Sequence, residues 1–576
     1  MKSWAVLARV ALAQRPIERR KLAAELFGEA DDPLGALRWC LADVRRSVGL
    51  PTLLSGDPLG LTPAELWLDV WALEDGSLPA EDIGGGLLEG IELRNCPGFD
   101  TWLMLARFQY AARSREELRG RALSLLAAGD TAAATAAAGR AARLDPLDEA
   151  AQELFLRALV AAGRGGLAWA HLASCEALFA REGLVPSPAL RSAARDPGRP
   201  PRPRLRAGVI AASLLRAGTA ALDAGAVDAG IETLRRAAQE ADQAADPATQ
   251  ADVLRALGSA LVHAVRGSDG EGAIVLHRAL LAARTSGLPG MVVDILRELA
   301  FVDVQAGRHA SADRALREAS RQASADPALL AGILGTRGMN EADRGRHNAA
   351  VELLTESAET AREAGRARQE AWSQGVLARS LLLSGQVRPA QAAAERSMTV
   401  AQHERWNAFL PWPQVLRAQC MAETDRWDEA REEAEHAFAL ACELGDPCWE
   451  GMAGRALGLV ALHAGDLAAA RAWLADARRR CDRVPDRYVW VSAYIGLAQL
   501  EADARTDGGL VGPSAARLYE HAVRSDLPEF LAWALVYQAE SGDHGKAPLA
   551  RAAAGGITNP ALQARVQALL GGARVP

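Results

Sequence analysis

Residues 464–470 read AGDLAAA and residues 306–312 read AGRHASA, so that a short glycine turn is followed in both by an alanine-rich helix start. Such turns recur along the C-terminal part of the chain at spacings of 40, 38, 40, 40 and 40 residues. The turn residues are Gly267, Gly307, Gly345, Gly385, Asp425 and Gly465. This period predicts an α-solenoid, in which stacked helix pairs bury faces that one repeat cannot bury alone.

The composition also favours a helical chain with several domains. The chain has 576 residues, which is too long for one hydrophobic core. Hydrophobic residues make up 49% and aromatic residues only 5%, because alanine and leucine dominate. Upstream of the solenoid, Gly129 and Gly163 lie 34 residues apart, which is the tetratricopeptide period. We therefore expect a mainly α protein with tetratricopeptide-type repeats.

The sequence predicts a cytoplasmic protein without a membrane partner. No run of about 18 uncharged apolar residues occurs, and the basic start lacks a signal-peptide cleavage pattern. The seven cysteines form no CxxC pair, which favours reduced core thiols over disulfides or a zinc site. They are Cys40, Cys96, Cys175, Cys420, Cys442, Cys448 and Cys481.

The N-terminal stretch predicts three short helices in the order of a helix-turn-helix unit. The first two are expected at residues 4–14 and 17–27, and the third, GALRWCLADVRRSVG, at residues 35–49. Asp32 followed by Pro33 is a strong start signal for the third helix. Its apolar stripe consists of Leu34, Leu37, Leu41, Val44 and Val48. Residues 53–55 and 59–61 flank a Gly-Asp-Pro turn and predict a small hairpin that forms a wing.

Charge distribution makes the N-terminus the candidate DNA-binding part. Residues 1–49 carry nine Lys or Arg against six Asp or Glu, whereas the whole chain has a net charge of −7. On the polar face of the third helix, Arg46 is the candidate for a base contact, and Arg38 and Arg45 are candidates for phosphate contacts. The alternative is that this helix is simply a solvated, packed helix of a small core.

Other residues of the predicted interface have open roles. The small Gly35 and Ala42 allow close approach to a groove, and Trp39 either touches a thymine methyl or sugar or packs against the following domain. Asp43 is expected to pair with an arginine. In the second helix, three basic residues either grip the DNA backbone or form a solvated turn. They are Arg19, Arg20 and Lys21.

With these motifs in view, residues 1–195 resemble regulators that join a winged helix to a bacterial transcriptional activator domain, of the Streptomyces antibiotic regulatory protein type. The segment LRWCLADVRRSVG is similar to the recognition helix of that family, and LWLDVWALE is similar to the strand that joins the two domains. In the latter, the matching residues are Trp67, Asp69 and Val70. Family members usually begin with a small β-sheet before the first helix, and here Met1 lies almost at that helix. We therefore expect a winged helix without that sheet.

Three further segments match the activator domain in order. The first is LLEGIELRNCPGFDTWLMLAR, with Phe99, Trp102, Leu103 and Arg107. The second is ARLDPLDEAAQELFLRALVAAGR, with Asp145, Pro146 and Glu149. The third is REGLVPSPAL, with Pro186 and Pro188. The resemblance implies a transcription regulator that places its third helix in the major groove of promoter DNA, while the activator domain supports homodimer or RNA polymerase contacts.

The expected organisation has four parts. A winged helix-turn-helix domain spans residues 1–75, a helical activator domain residues 76–194, and a tetratricopeptide-type α-solenoid residues 209–576. Between the last two, residues 195–208 hold prolines and five arginines, which predict an exposed, stiff linker without helix. Its arginines are Arg195, Arg199, Arg202, Arg204 and Arg206. They either touch DNA phosphate or are simply solvated.

Aromatic residues concentrate in one part of the solenoid. Trp406, Phe409, Trp412, Trp427, Phe438 and Trp449 fall within a chain otherwise poor in aromatics. Such a set either binds a protein, peptide or small-molecule effector on the concave face or fills the core between repeats. The two prolines of WNAFLPWPQ, residues 406–414, predict a longer loop there.

Catalytic motifs are missing from the sequence. GDHGKAP around Lys546 lacks the spaced first glycine and the Ser or Thr of a phosphate-binding loop, and neither HExxH nor GxSxG occurs. We therefore expect no enzyme, cofactor or metal. The leading hypothesis is a DNA-binding transcriptional regulator whose repeat array senses an effector. The alternative is an interaction scaffold with a vestigial winged helix that binds no DNA.

Overall fold

The computed structural model describes residues 1–576 except 14–15, 62–65, 92, 94–95, 196–203, 224–225, 245, 265–266, 324–325, 507 and 573–576. The described residues form helices and no β-strand. Two compact units divide the chain, Met1–Leu118 and Arg119–Pro576. No helix of the described part is long and apolar enough to cross a membrane.

The helices are named in chain order. Those before the repeat array are α1 (Lys2–Ala11), α2 (Arg19–Phe27), α3 (Pro33–Val48), α4 (Asp69–Asp75), α5 (Pro97–Ala128), α6 (Thr131–Leu144), α7 (Glu149–Ala161), α8 (Gly165–Arg181) and α9 (Pro188–Ala193). The array begins with α10 (Arg204–Asp223), α11 (Val227–Ala244), α12 (Pro247–His263), α13 (Asp269–Thr285), α14 (Pro289–Gln305), α15 (His309–Gln322), α16 (Pro327–Asp343), α17 (His347–Glu363), α18 (Ala367–Leu383) and α19 (Val387–His403). It continues with α20 (Pro411–Glu423), α21 (Trp427–Leu444), α22 (Pro447–His463), α23 (Leu467–Cys481), α24 (Val489–Thr506), α25 (Gly508–Arg524), α26 (Pro528–Glu540), α27 (Ala547–Ala553) and α28 (Pro560–Gly572).

The mainly α fold and the solenoid predicted from the 40-residue period are confirmed. All six turn residues of the array have positive φ values, as a left-handed turn between paired helices requires. The alanine four to five residues after each of five of these turns is almost completely buried. These alanines are Ala312, Ala350, Ala390, Ala430 and Ala470. The quoted stretches AGRHASA and AGDLAAA therefore each end on a core residue.

A second periodic feature sets the distance between paired helices. Glycines at positions 218, 258, 338 and 458 each face a leucine of the partner helix so closely that an added Cβ would lie 2.5–2.8 Å from the leucine Cγ. The pairs are Gly218 with Leu234, Gly258 with Leu276, Gly338 with Leu354, and Gly458 with Leu474. Since a Cβ does not fit at that distance, these helices pack in contact with glycine backbone.

Residues far apart in sequence also meet within the array, and we call three of these contacts the long-range joins. Gly267 donates its backbone N–H to Asp486 at 2.7 Å, across 219 residues. His347 donates to Glu529 at 2.9 Å across 182 residues, and Thr558 donates its backbone N–H to the carbonyl of Gly345 at 2.9 Å. Repeats about five apart are thus hydrogen-bonded, in addition to the packing between neighbours.

Between these joins, the array encloses a buried ion pair. Arg379 donates to Asp343 at 2.7 Å, and their side chains are 1% and 0% exposed. Tyr488 donates its hydroxyl to the same carboxylate at 2.7 Å. The guanidinium lies 4.2 Å from the ring centroid of Trp490. Charge, hydrogen bonds and a cation–π contact therefore offset the desolvation of this arginine.

The first unit places α1, α2 and α3 against one another, as the helix-turn-helix order predicts. Asp32 accepts a hydrogen bond from the backbone of Gly35 at 2.8 Å, Pro33 begins α3, and Gly49 ends it at φ 76°. On the predicted apolar stripe Leu37, Leu41 and Val44 are buried, whereas Leu34 is 38% exposed. Val48, the last residue of the stripe, is half-buried.

Two strand predictions near α3 are wrong within the described residues. The wing hairpin does not form, because Leu59 makes an isolated antiparallel bridge with Ile17 through two hydrogen bonds of 2.7 and 2.8 Å. The carbonyls of Leu53 and Leu54, which a hairpin would require, accept hydrogen bonds from Arg45 instead. The joining strand is also wrong, because α4 begins at Asp69, where an acidic residue stabilises a helix start.

The linker prediction is wrong at its C-terminal end. Helix α10 begins at Arg204, so residues 204–208 are helical. Downstream of the last proline, the sequence RLRAGVIAASLLRAG consists mostly of good helix formers, which explains the early start. Arg195 is exposed, as predicted. Residues 196–203, with Arg199 and Arg202, lie outside the described residues.

Candidate nucleic-acid interface and sensor region

Helix α3 presents a polar face with several of the predicted DNA contacts. Arg38, Trp39, Ala42 and Arg46 are all exposed, and the Trp39 ring is 62% exposed. Such an exposed indole on a helix with two basic residues is compatible with contact to a sugar or a thymine methyl. Gly35 is half-buried, because it receives the N-cap of Asp32.

Two acidic residues lie beside the arginines of this face. Arg38 pairs with Asp32 at 3.3 Å, and Arg46 lies 3.6 Å from Asp43, which confirms the expected pairing of Asp43 with an arginine. Ser3 also donates its hydroxyl to Asp43 at 2.7 Å. The side chains of both arginines are more than two-thirds exposed, so these ion pairs contribute little and release the guanidinium groups readily.

Two of the predicted phosphate contacts instead hold the segment after α3. Arg45 is half-buried and donates to the carbonyls of Leu53 and Leu54 at 2.7 and 2.9 Å. Arg19 donates its Nε–H to the carbonyl of Gly56 at 2.7 Å, and its backbone N–H to Asp57 at 3.0 Å. These guanidinium groups position residues 50–60 beside α2 and α3.

The remaining basic residues of α2 extend the exposed surface. Arg20 and Lys21 are both exposed in the first turn of that helix. In the described residues, the predicted interface therefore consists of an exposed set and an anchoring set. The exposed set, which we call the α2–α3 basic surface, comprises Arg20, Lys21, Arg38, Trp39, Ala42 and Arg46.

Within the first unit, the start of α5 is attached to α1 and α2. Phe99 is completely buried, and its ring centroid is 5.2 Å from that of Trp102. Arg9 of α1 lies over the Trp102 ring at 5.0 Å and forms an ion pair with Glu25 at 2.8 Å. Cys96, just before α5, donates its thiol to the carbonyl of Leu26 at 3.2 Å.

Arg107 closes the segment that precedes α5. Its guanidinium donates to the carbonyls of Leu87 and Leu88 at 2.9 and 2.7 Å. Beside it lies a groove of about 720 Å³, which includes the half-exposed Met104 and Phe108. Of the four residues quoted at the start of the activator resemblance, Phe99, Leu103 and Arg107 thus pack or hydrogen-bond inside this unit, and Trp102 stacks beside them.

The other two segments of the resemblance meet in the second unit. Glu149 accepts hydrogen bonds from the backbone N–H of Ser187, at 2.9 Å, and from its hydroxyl. Pro188 occupies the first position of α9, and Asp145 accepts from the backbone of Leu147 at 3.2 Å. These residues fix turns rather than form a ligand site.

The aromatic set of the array lies in its packing interfaces. Phe409 and Trp412 are buried, and the other four are half-buried. Trp406 stacks on Phe409 at 4.4 Å, Trp412 lies 5.2 Å from Trp449, and Trp427 stacks on His463 at 3.9 Å. This packing agrees with the core-filling alternative, and an effector contact by these rings stays a prediction.

The junction that carries two of these aromatic residues is longer than its neighbours, as its prolines predict. It spans residues 404–410 between α19 and α20 and includes a 3₁₀ helix at Asn407–Phe409. The two prolines, Pro411 and Pro413, begin α20 rather than interrupt it.

The buried cysteine thiols are inert. Burial raises the pKa of Cys40, and raises the pKa of Cys175 to about 11. Burial also raises the pKa of Cys420 and of Cys481 to about 12. Because the thiolate is the reactive form, these groups do not serve as nucleophiles near neutral pH.

Comparisons with known proteins identify one segment by sequence. Residues 85–196 match the family model of the bacterial transcriptional activator domain. This match confirms the resemblance drawn from the motifs of that segment, and it spans the boundary between the two compact units inside α5. No curated protein matches the chain.

Solved structures of helical repeat proteins are similar to the chain at low scores. A Rap protein complexed with competence and sporulation factor is 10% identical, and the alignment covers 63% of this chain and 98% of that chain, with a TM-score of 0.38. The Rap conjugation gene regulator of the plasmid pLS20, in complex with the Phr* peptide, is 14% identical, with coverages of 61% and 96% and a TM-score of 0.39. A signal transduction ATPase from Pyrococcus horikoshii with a tetratricopeptide repeat sensor is 14% identical, with coverages of 56% and 52% and a TM-score of 0.36.

Proposed function

Because residues 85–196 match the bacterial transcriptional activator domain, we propose that this chain is a transcriptional regulator that binds double-stranded promoter DNA through α3. The observation that carries the proposal is the α2–α3 basic surface, which lies directly upstream of the matched segment. In it, Arg38 and Arg46 are 68% and 69% exposed and carry the charge that phosphate and guanine recognition require.

The residues of this surface divide the work of recognition. Arg46 reads a base edge in the major groove, while Arg38, Arg20 and Lys21 contact phosphates and set the register of the protein. Ala42 lets the helix approach the groove closely, and Trp39 contacts a sugar or a thymine methyl. Arg45 and Arg19 act indirectly, because they hold residues 50–60 in place beside the reading helix.

The array is the part that receives a signal in this proposal. An effector, which is a protein, peptide or small molecule, changes how the regulator acts on DNA. The activator domain contacts RNA polymerase or a second copy of the chain. The proposal includes no catalytic reaction and a cytoplasmic location.

The test is a salt titration of full-length protein against a pool of promoter fragments. We expect selective retention of a few fragments and a linear fall of log K with log salt, since each phosphate contact releases counterions. The variant Arg38→Gln/Arg46→Gln is expected to lose selective retention. The matched control Arg431→Gln/Arg479→Gln removes two exposed arginines of the array, 52% and 69% exposed, and is expected to bind as the native protein does.

Two outcomes contradict the proposal. One is the absence of selective retention at low salt, where phosphate contacts are strongest; it favours the interaction scaffold. The other is equal loss in the control pair, which would show that net charge rather than α3 governs retention.

A further inference from the structure

A polar cleft lies where α23, α24 and α25 meet. Its open space is about 50 Å³. A water molecule requires roughly 10–15 Å³ of such space, so the cleft accommodates a group of several heavy atoms. The polar side chains that line it and carry the argument are Arg478, Arg487, Ser492, Ser514, Arg517 and His521. We call this set the array cleft.

Positive charge exceeds negative charge in the array cleft. Asp482 is the carboxylate among its lining residues, and it lies 3.8 Å from Arg478 and 3.4 Å from Arg487. Arg517 donates to the Ser514 hydroxyl at 2.7 Å and forms no ion pair with a described residue. Three guanidinium groups thus share one carboxylate, which leaves an excess of cationic hydrogen-bond donors.

Two further groups of the cleft indicate a missing acceptor or donor. The Ser492 hydroxyl is buried and has no hydrogen-bond partner among the described residues, and a buried polar atom without a partner is unusual and costly. His521 donates its Nε2–H to the carbonyl of Val489 at 2.9 Å. Burial, together with the nearby Arg487, Arg524 and Arg478, lowers its pKa to about 4. The imidazole is therefore neutral near pH 7 and does not add to the repulsion.

From this geometry we propose that the array cleft binds a tetrahedral oxyanion, namely a phosphate group that is either free or carried by a small ligand. Its oxygens accept from Arg478, Arg487 and Arg517, for which the fork of a guanidinium is the preferred partner. The Ser492 hydroxyl gains its missing hydrogen bond from the same group. The bound charge offsets the repulsion among the three arginines.

The cleft is also adjacent in sequence to two contacts that close the array. Asp486 makes one of the long-range joins, to Gly267, and Tyr488 donates to the buried Asp343. Arg487 lies between them in the chain. An anion held by Arg487 therefore fixes the segment that connects repeats far apart, which is a route for a signal. This regulatory role rests on the proposed function, whereas oxyanion binding itself does not.

The experiment measures phosphate binding by the full-length chain without DNA. Calorimetric titration and thermal unfolding are followed with inorganic phosphate, and with chloride at matched ionic strength. We expect saturable phosphate binding and a rise in Tm that chloride does not give. A parallel titration with phosphoserine distinguishes the two sources: tighter binding than inorganic phosphate indicates a phosphorylated ligand, and equal or weaker binding indicates the free ion.

Two variants and one control make the site specific. Arg517→Gln is expected to weaken phosphate binding by about tenfold or more, since a charge-assisted donor is lost. Ser492→Ala is expected to weaken it less and to leave the fold intact, because the hydroxyl has no partner to lose. Arg479→Gln, on the same helix as Arg478 but paired with Asp476 at 2.9 Å, is expected to bind as the native chain does.

The absence of saturable phosphate binding would overturn the assignment, as would unchanged affinity in Arg517→Gln and Ser492→Ala. Neither result bears on DNA binding by α3, which is measured separately. Conversely, failure of promoter retention leaves phosphate binding to be read on its own.

Discussion

Arg379 and Asp343 form an ion pair of 2.7 Å in which neither side chain is more than 1% exposed. The variant Arg379→Met would leave the carboxylate buried with Tyr488 as its donor. We expect the free energy of unfolding to fall by about 3–5 kcal/mol, as is usual when one partner of a buried pair is removed. Urea denaturation of the full-length chain measures it.

A double variant checks the reason for that loss. Arg379→Met/Asp343→Leu leaves no buried charge, so it should be more stable than Arg379→Met alone. The exposed pair Arg431–Asp428 provides the control, and Arg431→Met should have little effect. A double variant as unstable as the single one would show that packing, not the stranded carboxylate, dominates.

The close approach of paired helices predicts opposite effects for two glycines. In Gly338→Ala the new methyl group would lie 2.5 Å from the Cγ of Leu354, so we expect destabilisation by about 1–3 kcal/mol. Gly120 of α5 has no atom within 4 Å of an added Cβ, and Gly120→Ala should stabilise the chain by up to about 1 kcal/mol. Thermal unfolding of both variants tests this difference, and equal effects would contradict it.

Arg45 and Arg46 are neighbours with different expected roles. Arg45→Gln removes hydrogen bonds to the carbonyls of Leu53 and Leu54, so amide hydrogen exchange should accelerate in residues 50–60. Arg46→Gln should leave that exchange unchanged but reduce discrimination between promoter fragments by about 1–3 kcal/mol. If Arg46→Gln accelerates exchange to the same extent, the separation into reading and anchoring arginines is wrong.

Two histidines predict how the stability of the chain depends on pH. Burial is the main cause that lowers the pKa of His277 and His521 from 6.5 to about 4. The unfolded chain therefore binds more protons than the folded chain between these values, so these groups make stability fall as pH decreases from about 6.5 to 4. Their contribution to stability is fully present above that range. Urea midpoints between pH 7 and pH 5 measure the slope.

A pair of variants assigns that slope to the histidines. His277→Gln should flatten it, whereas His403→Gln should not, because the His403 side chain is 87% exposed. An unchanged slope in His277→Gln would assign the pH dependence to other groups.

Local sequence signals were enough to predict the helices of the array and its turns. A residue with positive φ is needed at each turn between paired helices, and glycine meets that need most easily, so the period of Gly307 and Gly345 was visible in the sequence. The packing glycines, such as Gly338 and Gly458, repeat with the same period and carried a signal that the turn analysis did not use.

Contacts between distant residues limited the prediction of the rest. The face of α3 followed from helical periodicity, so the exposure of Arg38 and Arg46 was predictable. The role of Arg19 was not, because its partner Gly56 lies 37 residues away. The array cleft likewise depends on Arg517 meeting Arg487 across a helix pair, which no local pattern indicates.

The long-range joins alter what shortening this protein would do. In a solenoid held only by neighbouring repeats, stability is nearly a sum along one dimension, and a terminal repeat is lost with little effect on distant ones. Here Glu529 and Thr558 hydrogen-bond to His347 and Gly345. Deletion of the last helices would therefore uncover an interior imidazole five repeats upstream, so the array should melt as one cooperative body rather than fray from its end.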